Sequence, residues 1–230
     1  MFKKILAIDT SMDGCSVSLL KNNCIINKFT LCKKKHTEII LPMIKKVLNT
    51  YKININELNA IAISKGPGNF TGIRLSICIA QALALKNKLP VIGISTFASI
   101  SEQAWRKHLS KKVLVAFDAK KKGIYWAEYI RNKHGIWQGE HTESCLNMDS
   151  IHNKMNKLSG IWTTVGNGWE KINMTNKKKR NLIYTKITLP NAKDIITFAK
   201  LLLKNSNTLF LTDLIPIYLD DFIPPHLNKI

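Results

Sequence analysis

Two short acidic turns carry the residue types best suited to phosphate or metal chemistry in this 230-residue chain. Asp9-Thr10-Ser11 follows a short apolar run, and Asp118 follows a similar run about halfway along the chain. Hydroxyls and turn amides bind phosphate oxygens, while aspartates hold Mg²⁺ and its waters. Asp9, Thr10, Ser11 and Asp118 therefore form a candidate nucleotide-phosphate site. A purely structural role for the two aspartates, within their own turns, is the favoured alternative.

A glycine-rich loop is the second candidate, because free amides at a helix N-terminus favour an anion. It is not a P-loop, since Ile73 rather than Lys follows its last glycine. Thr71 is the expected N-cap of the helical pattern that follows the loop. Arg74, in the first helical turn, is expected to reach a carboxylate or a ligand anion, and an internal ion pair is the favoured form. The loop signature comprises Gly66, Pro67, Gly68, Phe70, Thr71, Gly72 and Arg74.

Metal and nucleophile chemistry have weaker support in the sequence. Cys32 lies four residues before His36, but one Cys and one His do not close a site that needs at least three protein ligands. We therefore interpret His36 as a helix-start residue and predict no metal site. The chain has no G-x-S-x-G motif, and no catalytic residue is predicted.

The spacing of apolar residues indicates which elements must position these candidates. We expect strands at 3–9, 15–20, 25–31, 60–63 and 90–94, and helices at 36–48, 72–85 and from Thr96, as N-cap, to about residue 109. In the second half, residues 116–129 align without gaps on residues 7–20, which places Asp118 on Asp9 and Gly123 on Gly14. We expect a strand at 162–165 and helices at 150–158 and 192–203, the latter capped by Asn191. The pattern favours two lobes of the same plan.

Composition limits the class of protein. The net charge is +20, but it comes from 31 Lys and only 4 Arg, so we expect at most a salt-sensitive RNA affinity without sequence-specific readout. A general bias of the composition towards Lys, Asn and Ile explains the charge equally well. Five cysteines without a C-x-x-C pair indicate reduced thiols and a cytoplasmic protein. No apolar run approaches the roughly 20 residues of a membrane helix.

Six motifs, spread along the chain in a fixed order, resemble those of the bacterial TsaB (YeaZ) family. The most specific is G-P-G-N-F-T-G-I-R at 66–74, which is similar to the family signature G-P-G-S-F-T-G-x-R. The others are I-L-A-I-D-T-S at 5–11, H-T-E-I-I-L-P-M-I at 36–44, Y-W-A-E-Y at 125–129, V-G-N-G-W at 165–169 and P-I-Y-L at 216–219.

This resemblance implies an α/β fold of two RNase H-like lobes in the actin-like arrangement of the actin, Hsp70 and sugar-kinase superfamily. The expected domains are residues 1-103 for the first lobe, 104-212 for the second, and 213-230 for a C-terminal tail that returns to the first lobe.

The resemblance also implies a function. We expect a non-catalytic subunit required to form threonylcarbamoyladenosine next to the anticodon of tRNAs that read codons beginning with adenine. Such a subunit acts as a scaffold or activator of a TsaD-type subunit and has no cofactor of its own, with ATP possible at the level of the complex. Two alternatives stay open, an ATP-dependent phosphotransferase of the actin-like fold and a metallopeptidase-like protein.

The implied partners are a TsaD-type catalytic subunit in a heterodimer and a TsaE-type ATPase, with a self-dimer when the partner is absent. We expect tRNA contact to be indirect or weak. The 72–85 helix is apolar on every face, and one sheet cannot cover all of it. The resemblance therefore implies a partner interface at Ile40, Met43, Ile44, Val47, Ile73, Ile77, Ala80 and Ala84.

Two positions depart from the family pattern. Gly123 stands where the family usually has glutamate, two residues before Tyr125, which weakens any nucleotide or catalytic role of the second turn. Asp220 stands where arginine is common, so the contact of that arginine is not expected here.

Overall fold

A computed structural model of the chain describes residues 4–175, 181–204 and 214–219, which form two mixed β-sheets with helices packed against them. Position 220 lies outside the described residues. The strands are β1 (Lys4–Asp9), β2 (Gly14–Lys21), β3 (Cys24–Leu31), β4 (Ala60–Ser64), β5 (Val91–Ile94), β6 (Lys112–Asp118), β7 (Ile124–Arg131), β8 (Trp137–Gln138), β9 (Ser144–Leu146), β10 (Trp162–Val165) and β11 (Leu182–Tyr184). The helices are α1 (His36–Thr50), α2 (Phe70–Asn87), α3 (Thr96–His108), α4 (Met148–Lys157), α5 (Trp169–Thr175) and α6 (Ala192–Lys204).

The two sheets share one plan. The first has the order β3-β2-β1-β4-β5, in which β1, β2 and β3 run antiparallel and β4 and β5 extend the sheet in parallel from β1. The second has the order β11-β10-β6-β7-β8, with β9 also paired to β7. Its hairpin β6–β7 is antiparallel, and β10 and β11 follow in parallel. The predicted two-lobe α/β fold is confirmed.

The core follows from the alternation of side chains along the central strands, because successive residues of a strand point to opposite faces. On β1, Leu6 and Ile8 belong to the cluster beneath α1 and α2, whereas Ile5 and Ala7 belong to a cluster between the two sheets. On β6, Leu114 packs towards α4, and its neighbours pack into the same central cluster. Both sheets are therefore buried on both faces.

The central layer consists of α3 and α6, and each of these helices packs against the sheet formed by the other half of the chain. α3 follows the first sheet in sequence but contacts β6, β7 and β10 of the second. α6 follows the second sheet but contacts β1, β2 and β4 of the first, and the two helices contact each other. The predicted boundary between residues 103 and 104 falls inside α3. The domain bounds stay a prediction.

The observed caps correct two sequence-based assignments. α2 begins at Phe70, so its N-cap is Asn69 in an extended conformation and not Thr71. Ser95, not Thr96, caps α3, and its hydroxyl accepts from the amides of Phe97 and Ala98. The cap predicted at Asn191 is observed, since its side chain accepts from the Lys193 amide at 2.9 Å.

A bidentate ion pair joins α3 to α6. The Nε of Arg106 lies 2.6 Å from Oδ1 of Asp194, and a terminal guanidinium nitrogen lies 3.0 Å from Oδ2. Asp194 is 1% exposed, and this burial raises its pKa even though Arg106 acts in the opposite direction. The ion pair with Arg106 therefore compensates for the free-energy cost of burying the charged Asp194 carboxylate.

We expect Arg106→Met to lower the free energy of unfolding by about 2 kcal/mol. Loss of one partner of a fully buried pair costs roughly 3–5 kcal/mol, and this pair falls below that range because the Arg106 side chain is 35% exposed. Urea denaturation measures the change. Lys4→Met in the exposed Lys4–Glu57 pair is the control and should have a smaller effect. Equal losses in the two variants would contradict the assignment.

Candidate functional site between the two lobes

The glycine-rich loop and the second hairpin turn line one cleft. Its main cavity is about 620 Å³ and lies between the loop at residues 67–70, the Asp118–Lys122 turn, and the segment 217–219. A smaller adjoining cavity of about 120 Å³ reaches Asp13 and Asn167. Of the predicted phosphate-site residues, Asp118 lines this cleft, whereas Asp9, Thr10 and Ser11 are 1%, 0% and 0% exposed.

Asp9 is bonded within the chain. Its Oδ1 accepts from the Ser11 amide at 3.0 Å and from the Ser11 hydroxyl at 2.9 Å, and its Oδ2 accepts from the hydroxyl of Ser64. Burial raises the pKa of the Asp9 carboxyl, although these hydrogen bonds act to lower it. Because Ser64 ends β4, Asp9 links the ends of the two neighbouring strands. This geometry matches the favoured structural role.

The glycine-rich loop packs directly on the first hairpin turn. Thr10 donates its hydroxyl hydrogen to the Gly72 carbonyl at 2.6 Å, and the Asn69 amide donates to the Ser11 carbonyl at 2.7 Å. A Cβ at Gly72 would come within 1.9 Å of the Thr10 carbonyl oxygen, so only glycine allows this approach. The Asn69 amide, expected to face an anion, is bonded to the chain's own backbone.

Arg74 contacts aromatic side chains where the sequence predicts a carboxylate or an anion. Its guanidinium lies 3.6 Å from the centre of the Phe70 ring, and its Nε donates to the Tyr218 hydroxyl at 2.9 Å. The Phe70 and Tyr218 rings stack at 5.5 Å. The amide of Ile217 also donates to the Lys65 carbonyl at 2.8 Å. These contacts attach the segment at 214–219 to the loop.

The Asp118 carboxylate forms an ion pair with Lys171 and accepts a hydrogen bond from the backbone. Lys171 Nζ and the Lys120 amide each donate to its Oδ1 at 2.6 Å. Burial acts to raise the pKa of Asp118, but these two donors outweigh it, and the pKa lies below its ordinary value. Three exposed lysines follow at 120–122, and Gly123 closes the turn with φ +117°, a conformation that favours glycine. This wall of the cleft suits an anion better than a metal ion.

The residues predicted as a partner interface lie in the core of the first lobe. Seven of them are at most 5% exposed, and Met43 packs against the same cluster. They face the chain's own sheet, which explains why much of the α2 surface is apolar. Four apolar residues on the outer surfaces of the two helices are exposed, Leu41 on α1 and Cys78, Ala82 and Leu85 on α2, and we call this set the outward stripe. The eight interface positions are Ile40, Met43, Ile44, Val47, Ile73, Ile77, Ala80 and Ala84.

Two side-chain clusters could not be predicted in full from the sequence, because each includes residues that are distant in the chain. Cys15 joins Cys32 and His36, with one ligand atom from each lying within 4.8 Å of the others, so the sequence-based count of one Cys and one His is incomplete. In the second cluster, Glu143 accepts from the hydroxyls of Ser95 and Tyr129. No local motif includes all members of either cluster.

Two lobes of one plan, with hairpins that face a common cleft, define an α/β protein of the actin-like class. Comparisons with known proteins give the family. Residues 28–216 match the family model described as TsaD: tRNA N6-adenosine threonylcarbamoyltransferase. The chain belongs to the TsaB family of tRNA threonylcarbamoyladenosine biosynthesis proteins, as the sequence motifs indicated.

Individual relatives match over nearly their whole length. The TsaB protein of Buchnera aphidicola subsp. Schizaphis graminum is 52% identical over 84% of this chain and 91% of the relative. The Escherichia coli TsaB protein is 41% identical over 94% of each chain. The solved structure of YeaZ from Pseudomonas aeruginosa superposes with a TM-score of 0.83 at 26% identity, covering 94% of this chain and 100% of that one. Among the helices described here, none has the length and apolar character to cross a membrane.

The Glu143 cluster joins the lobes and titrates near neutrality. Ser95 follows the last strand of the first sheet, and Tyr129, whose hydroxyl lies 2.6 Å from Glu143, belongs to β7 of the second. Burial raises the pKa of Glu143 from 4.5 to about 7, although the two hydroxyl donors act to lower it. A raised folded-state pKa contributes stability that is complete below the unfolded pKa of 4.5 and disappears as the pH rises through about 7.

We therefore expect wild-type stability to fall relative to Glu143→Gln between pH 4.5 and 8, by about 2–3 kcal/mol. Glutamine keeps the acceptor oxygen but cannot ionise, so the variant lacks this dependence. Urea denaturation of both proteins across the pH range measures the difference. Glu170→Gln, at an exposed position, should follow the wild-type curve. Parallel curves for wild type and Glu143→Gln would refute the predicted pKa.

Proposed function

We propose that this chain is a non-catalytic subunit of tRNA threonylcarbamoyladenosine biosynthesis. In this role it is required to form the threonylcarbamoyl group on the adenosine next to the anticodon of tRNAs that read codons beginning with adenine. The main support is that the polar side chains of the first turn are hydrogen-bonded within the chain. Thr10 and Ser11, which would bind phosphate in an active member of the fold class, are buried and hydrogen-bonded to the chain itself.

The same geometry argues against the two enzymatic alternatives. A phosphotransferase needs the first turn and Asp118 to bind phosphate and magnesium together, but Asp118 is paired to Lys171. A metallopeptidase needs a metal that a peptide can reach. The one group of three metal-ligand side chains found among the described residues, Cys15, Cys32 and His36, is at most 8% exposed. Tight binding of magnesium-ATP, or peptide cleavage by the isolated chain, would favour these alternatives.

The outward stripe is the surface we propose for a TsaD-type catalytic subunit. Leu41 is 55% exposed and Leu85 is 73% exposed, and α1 contacts α2. Cys78, Ala82 and Leu85 recur at helical spacing and lie on one side of α2. Clustered exposed apolar side chains mark protein contacts. A second copy of the chain would use the same stripe when the partner is absent.

Other features of the proposed complex follow from charge and composition. A TsaE-type ATPase would supply the ATP chemistry, and this subunit would act in the cytoplasm as scaffold or activator. The net charge of +20 supports weak, salt-sensitive contact with tRNA. The lobes would comprise 1-103 and 104-212, followed by the tail 213-230. Of this tail the structure describes residues 214–219, in which Ile217 and Tyr218 contact the first lobe.

We expect the isolated chain to show no ATP hydrolysis above that of an Asp118→Asn variant, because its first turn offers no free phosphate ligands. Reconstitution with the TsaD-type and TsaE-type subunits should give threonylcarbamoyl incorporation into tRNA, measured with labelled threonine. Omission of this chain should abolish incorporation. Turnover by the chain alone that is lost in Asp118→Asn, or full incorporation without the chain, would contradict the proposal.

Ala82→Glu should weaken binding of the TsaD-type subunit at least tenfold, or about 1.4 kcal/mol, because it would bury an unpaired charge. The position is exposed, so circular dichroism and the melting temperature of the free variant should not change. Ile161→Glu, at an apolar position of the second lobe that is 64% exposed, is the matched control and should bind normally.

Ala84→Glu tests the core side of α2, whereas Ala82→Glu tests its outer surface. Ala84 is 0% exposed, so this variant should fail to fold. We do not expect a folded Ala84→Glu protein that has lost only the binding of its partner. Unchanged affinity in Ala82→Glu, or a stable Ala84→Glu that fails to bind, would show that the outward stripe is not the contact.

A further inference from the structure

Cys15, Cys32 and His36 form a compact, buried group outside the cleft described above. The two Sγ atoms lie 3.4 Å apart, and the His36 ligand nitrogen lies within 4.8 Å of both. The three residues are 0%, 5% and 8% exposed. Two thiols and an imidazole at these distances are the donor types that bind zinc and other soft metals.

Three different elements supply the group, and the hairpin register brings them together. Cys15 lies on β2, Cys32 follows the end of β3, and His36 is the first residue of α1. Gly14 pairs with Leu31, and the Cys32 amide donates to the Asp13 carbonyl at 3.0 Å, which fixes Cys32 beside Cys15. The group is therefore positioned by backbone pairing and needs no local metal motif.

We propose that Cys15, Cys32 and His36 form a metal site for a soft cation of the Zn²⁺ type. Binding would form two metal–sulfur bonds and one metal–nitrogen bond and would release the two thiol protons to solvent. The fourth tetrahedral position would be left to water or a small ligand. This inference is independent of the proposed tRNA function.

The separation of the sulfurs is compatible with a metal and not with a disulfide. Zn–S bonds of about 2.3 Å at a tetrahedral angle place two sulfurs roughly 3.8 Å apart. A disulfide requires about 2.05 Å. The observed 3.4 Å is the distance of a hydrogen bond between two free thiols, and metal binding would require the sulfurs to separate by only about 0.4 Å.

The hydrogen bond of the imidazole fits the same assignment. His36 Nε2 lies 2.6 Å from the Met12 carbonyl oxygen, which can only accept, so Nε2 carries the hydrogen. The other ring nitrogen, Nδ1, then keeps its lone pair and is the atom that would bind the metal. Metal-binding histidines commonly donate their second N–H to a backbone carbonyl in this way. A bound metal would hold the start of α1 against β2 and β3.

Metal binding to the full chain, purified and reduced without oxygen, tests the proposal. Elemental analysis after loading with Zn²⁺ should give one equivalent, and Co²⁺ should give the intense visible absorption of a tetrahedral site with a sulfur-to-cobalt charge-transfer band. Zn²⁺ should also raise the melting temperature of the wild type. Failure to load zinc, or a cobalt spectrum without the sulfur band, would overturn the proposal.

Matched variants locate the site. Cys15→Ser, Cys32→Ser and His36→Gln should each weaken zinc affinity at least tenfold, whereas Cys24→Ser and His134→Gln, at exposed positions, should keep it. Equal affinity in Cys32→Ser and Cys24→Ser would place the metal elsewhere. If a buried variant does not fold, the cobalt spectrum of the wild type still decides whether thiolates bind the metal. Mass spectrometry that finds Cys15 and Cys32 joined as a disulfide in protein that takes up no zinc would refute the assignment.

Discussion

Burial of both faces of the two central strands is the constraint on which the rest of this structure depends. β1 and β6 carry apolar side chains at nearly every position, so each strand needs cover on two sides. α1 and α2 supply one side of the first sheet, and α6 supplies the other from the far half of the chain. Neither half has a complete core without the exchanged helix. Each lobe therefore depends on the other half of the chain for its core, and the polar links Arg106–Asp194 and Ser95–Glu143 lie in or beside that shared layer.

The same burial changes the chemistry of the first hairpin turn. At the end of a doubly covered strand, Asp9, Thr10 and Ser11 are almost fully removed from water. Buried polar groups must find hydrogen-bond partners within the chain, and these residues bond one another, Ser64 and the glycine-rich loop. The second turn is more exposed, so Asp118 and the lysines after it stay in the cleft. Two turns at equivalent positions of the two lobes thus differ both in their surroundings and in the residues between the shared Asp and Gly.

Local patterns predicted most of the elements but not what covers them. Alternation and helical spacing are properties of short segments, and both hairpins, α1, α2 and α6 could be predicted from them. Ile77 and Ala84 were predicted to face a partner, because periodicity reveals an apolar face without identifying its neighbour. Arg74 shows the same limit, since its partner Tyr218 is 144 residues away. Cys15 was missed beside Cys32 because only the β2–β3 register brings the two together.

The first hairpin turn binds the N-termini of both helices that carry the outward stripe. Its carbonyls accept from the Asn69 amide and from His36, and Thr10 bonds Gly72 in the first turn of α2. These contacts fix the start of each helix relative to the same strand end. A surface built on two helices anchored in this way loses little conformational entropy when a partner binds, and that favours affinity without a large contact area. The turn that would bind phosphate in an enzyme of this fold class is thus placed to keep the proposed binding surface rigid.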